Sequence, residues 1–95
     1  MLASRAEFQA ALKRLGVPYW ASEANFVLVN IGLPHASFVQ AMRTRDVLVR
    51  DRSADPGCQG CVRITLGPRE HTRRAIAALE ASLSEIAWTP SEVNA

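Results

Sequence analysis

A loop rich in turn-forming residues, set between two short apolar runs, constrains this chain more than any other feature. The run "VLVR" ends at Arg50, the loop occupies residues 51–60, and the run "CVRITL" begins at Cys61. Asp, Ser, Pro and Gly favour tight backbone geometry, and the flanking runs have the β-branched residues typical of strands. We therefore predict that the chain leaves one strand and soon enters another, in a hairpin-like element.

Length and composition limit the chain to one folded domain. It has 95 residues, of which 48% are hydrophobic and 21% are charged, as in ordinary globular proteins. The net charge is only +2 and the ten arginines are scattered, which argues against nucleic-acid binding. No apolar run approaches the ~20 residues that span a bilayer, and the N-terminal segment lacks a signal-peptide core. We expect a cytoplasmic protein with no membrane or nucleic-acid partner.

Three segments have the residue spacing of amphipathic helices. In the first, Ser4 and Glu7 form a capping-box pattern, and Gly16 predicts the end of the helix. The second, "HASFVQAMRTR", is apolar along one side. The third follows Gly67 and Pro68, because proline is tolerated in a first helical turn. Its apolar stripe consists of Thr72, Ile76, Leu79, Leu83 and Ile86.

A strand over residues 25–31 and the two runs beside the loop complete the order α-β-α-β-β-α. This order predicts an α/β fold, a two-layer α+β sandwich with a three-stranded sheet and its helices packed on one face. The other sheet face then has no cover, which indicates a missing partner layer. We assign residues 1–87 to the domain and expect residues 88–95 to form a frayed tail or to dock on something outside the chain.

The two cysteines, Cys58 and Cys61, form one C-x-x-C pattern, which is found in redox pairs and in zinc sites. A structural zinc site needs four ligands, and His35 and His71 have no metal-ligand spacing. A redox pair would normally open a helix, whereas Cys61 begins a predicted strand. We interpret the cysteines as one loop thiol and one small strand residue, with no metal site.

Arg50 and Arg63 stand at the inner ends of the two apolar runs that flank the loop, which we predict to be strands. The planar guanidinium fork matches a carboxylate or a phosphate with two parallel hydrogen bonds, so the two arginines are candidates for an anion site. The alternative is a surface arginine, or a structural salt bridge to Asp51, Asp55 or Glu70. The chain shows no paired carboxylates, no nucleophile with a base and no glycine loop that would cradle a phosphate, so the residues alone leave both interpretations open.

The segments "SEANFVLVNI" and "VLVRDRSADPGCQGCVRITLGPRE" resemble the C-terminal small domain of histidinol-phosphate aminotransferases, which are pyridoxal-phosphate enzymes of the aspartate-aminotransferase fold. The resemblance covers roughly residues 4–83. Its most specific parts are A-N-F, V-R-D-R-S, P-G-x-x-G-C and R-I-T-x-G, which occur in the family's order and spacing. It implies that the chain is the C-terminal portion of a longer enzyme.

The resemblance also implies roles for the two arginines. Arg63, in R-I-T-x-G, would grip the substrate α-carboxylate, and Arg50 would help to bind the substrate phosphate. The implied reaction converts L-histidinol phosphate and 2-oxoglutarate to imidazole acetol phosphate and L-glutamate, in histidine biosynthesis. Asn25 would be a structural or site-edge residue and Arg52 a supporting or surface charge. Pro68 replaces the threonine that usually follows the last motif, which removes a hydroxyl and an N–H near the helix start.

The cofactor chemistry of that family requires a lysine, an acidic partner for the pyridine nitrogen and a phosphate cup, all in the large domain. The single lysine here, Lys13, lies in the first predicted helix and outside any such context. We therefore expect this chain alone to bind no pyridoxal phosphate and to be inactive. Its implied partners are the large cofactor-binding domain, the substrates histidinol phosphate and 2-oxoglutarate, and a second copy in a homodimer.

Two other functions fit the same residues. The domain could belong to a sister enzyme, an aromatic-amino-acid aminotransferase or a threonine-phosphate decarboxylase, in which Arg63 would be shared. A phosphate-binding Arg50 would not serve the aromatic substrates. Alternatively, the chain is a free-standing anion-binding module descended from such a domain.

Overall fold

The computed structural model describes residues 2–21 and 26–93 of the chain. Three helices and four strands alternate along it, and a short 3-10 turn follows the last helix. In chain order they are α1 (Leu2–Leu15), β1 (Tyr19–Ala21), β2 (Phe26–Asn30), α2 (His35–Arg43), β3 (Val49–Asp51), β4 (Cys61–Thr65), α3 (Arg69–Glu85) and the 3-10 turn (Pro90–Glu92).

The strands form one antiparallel sheet in the order β1-β2-β4-β3. Along β2 the buried Val27 and Val29 alternate with partly exposed residues, and helices α1, α2 and α3 share one hydrophobic core with that buried face. The predicted α/β two-layer fold with helices on one face is therefore confirmed. Among the described residues, no helix combines the length and apolar character needed to cross a lipid bilayer.

The predicted three-stranded sheet is wrong by one strand. The missing element is β1, whose three residues pair with β2, Tyr19 opposite Val29 and Trp20 opposite Leu28. The observed order is α-β-β-α-β-β-α. A three-residue strand has no periodicity of its own to be recognised, since its extended conformation depends on hydrogen bonds from a neighbour.

The core lies between the helices and the sheet, and each helix contributes its predicted stripe. Buried side chains from the three helices meet those of the central strands; the largest are Phe8, Leu12, Phe38, Met42, Leu79, Val27, Val29, Val62 and Ile64. In the stripe of α3, Thr72 and Leu83 are buried, whereas Ile76 and Ile86 are partly exposed at its edge. Helix periodicity thus predicts the buried side of α3 correctly.

The two ends of α1 compare differently with the sequence pattern. At the C-terminal end, Gly16 has a φ of 76°, and the N–H groups of Gly16 and Val17 donate to the carbonyls of Lys13 and Leu12. This Schellman arrangement confirms Gly16 as the stop. The N-terminal prediction is wrong, because α1 begins at Leu2 and Ser4 therefore lies inside the helix rather than at its cap.

Residues 88–93 pack on the domain itself. The indole Nε1–H of Trp88 donates to the carbonyl oxygen of Ile31 at 2.8 Å. In the 3-10 turn, a Pro90 ring carbon lies 3.0 Å from the position that a Cβ on Gly16 would occupy. Residues 88–93 therefore contact the rest of this chain, and the predicted domain boundary at residue 87 stays a prediction.

Candidate functional site

The face of the sheet opposite the helices carries both predicted arginines. Along a line across all four strands lie Trp20, Leu28, Arg63 and Arg50, each directly opposite the next. Because residues opposite one another in a sheet point to the same side, Arg50 and Arg63 are neighbours on the open face. We call these two residues the arginine pair.

The ladder around the arginine pair fixes its spacing. The N–H of Thr65 donates to the carbonyl of Leu48 at 3.1 Å, and the N–H of Arg52 donates to that of Cys61 at 3.0 Å. These bonds place Arg50 opposite Arg63 in the hydrogen-bonded class of antiparallel positions, where the two Cα atoms are about 5.5 Å apart. Both guanidinium groups can therefore reach one ligand.

The surroundings of the arginine pair are partly apolar. The guanidinium carbon of Arg63 lies 5.4 Å from the centroid of the Phe26 ring, a cation–π contact. Arg63 is half-buried on the central strand β4, whereas Arg50 is exposed on the edge strand β3. Trp20 and Leu48, on the same face, are 54% and 71% exposed. Apolar side chains thus frame two cations on an open surface.

Among the described residues, neither member of the arginine pair forms the alternative, a structural salt bridge to Asp51, Asp55 or Glu70. Asp51 Oδ2 instead lies 2.7 Å from His35 Nδ1, and Asp55 Oδ2 lies 2.6 Å from Arg52. Within residues 2–21 and 26–93, no carboxylate forms an ion pair with Arg50 or Arg63. Like charges directly opposite each other in a sheet are destabilising, so this arrangement favours a bound anion.

A hydrogen-bonded chain holds the loop between β3 and β4. His35 Nδ1 donates to Asp51 Oδ2, the Ser53 N–H donates to Asp51 Oδ1 at 2.9 Å, and the Gly60 N–H donates to Ser53 Oγ at 2.9 Å. Sequence reasoning missed this chain, because His35 and Asp51 are 16 residues apart in different elements. The D-R-S pattern indicates only the bond between Asp51 and Ser53, since an Asp side chain often accepts a hydrogen bond from the N–H two residues later.

The charge of Asp51 is stabilised where it stands. Partial burial raises the pKa of the Asp51 carboxyl, but the hydrogen bonds from the Ser53 N–H and His35, together with the charges of His35 and Arg43, outweigh it. The pKa of Asp51 is therefore lower than its ordinary value. An ionised carboxylate accepts from both partners at once.

The loop returns to the sheet through a close approach of two glycines. The Gly60 carbonyl accepts the N–H groups of Ile31 at 2.8 Å and of Gly32 at 3.2 Å. A Cβ on Gly60 would lie 2.6 Å from the Gly32 Cα, and a Cβ on Gly32 would lie 2.4 Å from the Glu92 carbonyl oxygen. The start of β4, two residues before Arg63, is thus held by backbone contact.

The two cysteines are both free thiols. Burial, together with the neighbouring Cys58 thiol, raises the pKa of the Cys61 thiol. A raised pKa leaves less thiolate at neutral pH, and the thiolate is the form that acts as nucleophile and metal ligand. Over the described ranges, no group of three or more His, Cys, Asp or Glu side chains is placed to hold a metal ion.

The remaining residues named in the sequence analysis lie away from the arginine pair or outside the described residues. Lys13 is exposed in the last turn of α1, in the helix layer rather than on the open face. Among the described residues, the arginine pair therefore has no lysine beside it that could attach pyridoxal phosphate. Pro68 directly precedes α3, as predicted. Asn25 lies outside the described residues.

Comparison with known proteins connects this geometry to a family. Residues 1–79 match the family model for aminotransferase class I and II. A histidinol-phosphate aminotransferase of Symbiobacterium thermophilum is 43% identical over 85% of this chain and 22% of its own length. Another, from Haloarcula marismortui, is 38% identical over 76% of this chain and 19% of its own length. The chain thus spans about a fifth of these curated relatives.

A solved structure agrees with the sequence relatives. The crystal structure of a Burkholderia pseudomallei protein assigned as an aminotransferase superimposes with a TM-score of 0.71 at 36% identity. The match covers 85% of this chain and 25% of that one. The family model and the fold therefore agree: this chain is a member of the class I and II aminotransferase family.

Proposed function

We propose that this chain is the C-terminal, substrate-binding part of a pyridoxal-phosphate-dependent histidinol-phosphate aminotransferase. The reaction is the transfer of an amino group from L-histidinol phosphate to 2-oxoglutarate. The observation that carries the proposal is the arginine pair, two cations side by side on an open sheet face with no carboxylate partner in the described residues. The names of the relatives support the choice of substrate.

Each arginine has a surrounding that suits one anion. Arg63 is half-buried on a central strand and lies against Phe26, which restricts its guanidinium to few orientations. A restricted planar fork suits the bidentate grip of a carboxylate, here that of 2-oxoglutarate and glutamate. Arg50 is exposed on an edge strand and can follow a larger phosphate. The phosphate contact supplies binding energy remote from the reacting carbon and selects the phosphorylated donor.

The cofactor and the remaining catalytic groups belong to a large domain outside this chain, since Lys13 does not fit that role. The proposal therefore makes this chain inactive by itself. Exposed Trp20 and Leu48 beside the arginine pair give the large domain an apolar surface to cover. Covering that surface would remove water and strengthen the hydrogen bonds of both arginines to substrate. The family resemblance adds a homodimeric, cytoplasmic enzyme to the proposal.

Steady-state kinetics of the complete native protein containing this chain test the proposal. Arg50→Ala should raise the KM for histidinol phosphate by about 10- to 150-fold, since a hydrogen bond to a charged group contributes ~1.5–3 kcal/mol. The same variant should leave the kinetics with histidinol, which lacks the phosphate, unchanged. Arg63→Ala should instead raise the KM for 2-oxoglutarate. Arg52→Gln is the matched control, because Arg52 pairs with Asp55 in the same loop.

Three outcomes would contradict the proposal. Unchanged kinetics in Arg50→Ala would remove the phosphate role, and a preference for aromatic amino acids would point to a sister aminotransferase. A native product of only 95 residues that binds phosphate and shows no pyridoxal-phosphate absorption would indicate a free-standing anion-binding module.

A further inference from the structure

The edge strand that carries Arg50 is paired with the sheet on one side only, and a side-chain contact beneath it connects it to the helix layer. Strand β3 has only three residues and one neighbour, β4. Its last residue, Asp51, lies opposite Val62, on the helix side of the sheet. There its carboxylate meets His35, the first residue of α2, at 2.7 Å. The His35–Asp51 contact therefore anchors the end of β3 to the helix layer.

The anchor lies one residue from Arg50 and continues into the loop. Because consecutive strand residues point to opposite faces, a fixed Asp51 side chain also fixes the direction in which Arg50 leaves the backbone. The second carboxylate oxygen holds the Ser53 N–H, and Ser53 Oγ holds the Gly60 N–H. This set of bonds connects both ends of the loop to α2.

No such anchor is needed for Arg63, which lies in the middle of a strand paired on both sides. An arginine on an edge strand is more easily displaced. A displacement near 1 Å would weaken the hydrogen bonds between its guanidinium group and a phosphate. The two members of the arginine pair thus differ in what holds them.

We infer that His35 and Asp51 are positioning residues for Arg50 and thereby determine selectivity for phosphorylated over non-phosphorylated amino donors. The inference rests on the proposed function, in which Arg50 binds the phosphate. Neither His35 nor Asp51 touches substrate in this scheme. They act through the placement of one guanidinium group.

The test is a double-mutant cycle in the complete native enzyme. His35→Ala should raise the KM for histidinol phosphate by about tenfold, the equivalent of one hydrogen bond to a charged group. Its kcat, and its kinetics with histidinol, should stay at wild-type values. In an Arg50→Ala background, His35→Ala should have no further effect, because residues that act through one another are non-additive. Asp51→Asn, which keeps an acceptor for Ser53, should give a smaller increase and serves if His35→Ala folds poorly.

The outcomes separate this inference from the function on which it rests. If Arg50→Ala has no selective effect on histidinol phosphate, the proposed phosphate site is wrong, and the positioning role falls with it. If Arg50→Ala raises the KM for histidinol phosphate selectively, but adding His35→Ala raises that KM further, His35 acts independently of Arg50. Only the positioning inference is then overturned. An equal effect of Arg52→Gln, which breaks the other ion pair of the loop, would also overturn it, since any change in the loop would then suffice.

Discussion

Replacing Gly60 by alanine should destabilise the domain far more than replacing Gly57, although both glycines lie in the same loop. Their backbones are alike, with φ of 80° and 77°. A Cβ on Gly57 would meet no atom within 4 Å, whereas one on Gly60 would meet the Gly32 Cα at 2.6 Å and the Asn30 Oδ1 at 2.8 Å. Gly32 has little free space of its own, because a Cβ on it would lie 2.4 Å from the Glu92 carbonyl oxygen.

The magnitude follows from two separate costs. A left-handed conformation costs a residue with a Cβ about 1–2 kcal/mol, and both substitutions incur this cost. Overpacking against fixed backbone adds about 1–3 kcal/mol, and only Gly60→Ala incurs it. The total of roughly 2–5 kcal/mol is a large fraction of the ~5–14 kcal/mol expected for 95 residues.

Equilibrium unfolding of the chain in urea, followed by tryptophan fluorescence, measures the difference. Trp88 is a local probe, since its indole donates to Ile31, the residue before Gly32. With a denaturant slope near 1 kcal/mol per molar, the urea midpoint of Gly60→Ala should lie about 1–3 M below that of Gly57→Ala. Equal midpoints would show that the two glycines do not make this close approach and would refute the reasoning.

Two further predictions concern the helix layer and the loop anchor. Ser82 Oγ is fully buried and has no hydrogen-bond partner among the described residues. Ser82→Ala should therefore raise the free energy of unfolding by about 1–3 kcal/mol relative to exposed Ser84→Ala; equal effects in urea would contradict this. For Asp51, the lowered native pKa means that the unfolded chain binds more protons at acid pH. Its contribution to stability is therefore complete above the unfolded pKa of about 3.9 and is lost as pH falls through the lower native value. Melting temperatures between about pH 5 and pH 2 should consequently fall less steeply in Asp51→Asn than in wild type, and identical slopes would show that Asp51 does not contribute.

The parts of the fold that could be predicted from sequence are those with a periodicity or a breaker of their own. The stripe of α3, the stop at Gly16 and the two strands beside the loop all belong to this class, because each depends on residues close together in the chain. Strand β1 depends instead on pairing with β2. Helix α1 begins two residues before Ser4, since a serine with a glutamate three residues later permits a cap but does not require one.

For a related reason, the sequence predicted the two arginines of the candidate site but not their arrangement. The sequence pattern placed Arg50 and Arg63 at strand ends, whereas each is the middle residue of its strand. Their meeting on one face depends on the register of β3 against β4. A slip of one residue would send the two side chains to opposite faces. The contacts next to this pairing, those of Gly60 with Gly32 and of His35 with Asp51, join residues distant in sequence, so local pattern could not predict them.

The contacts of residues 88–93 have a consequence for the order in which the domain can assemble. The Trp88 hydrogen bond joins positions 57 residues apart, and the 3-10 turn that follows lies against Gly16 and Gly32. Contacts that close such long loops form late in folding, because closing the loop costs conformational entropy before the contacts can stabilise the fold. During synthesis from the N-terminus, the turn at Ile31 must therefore wait for these residues, and the sheet that carries the arginines is secured only when they arrive.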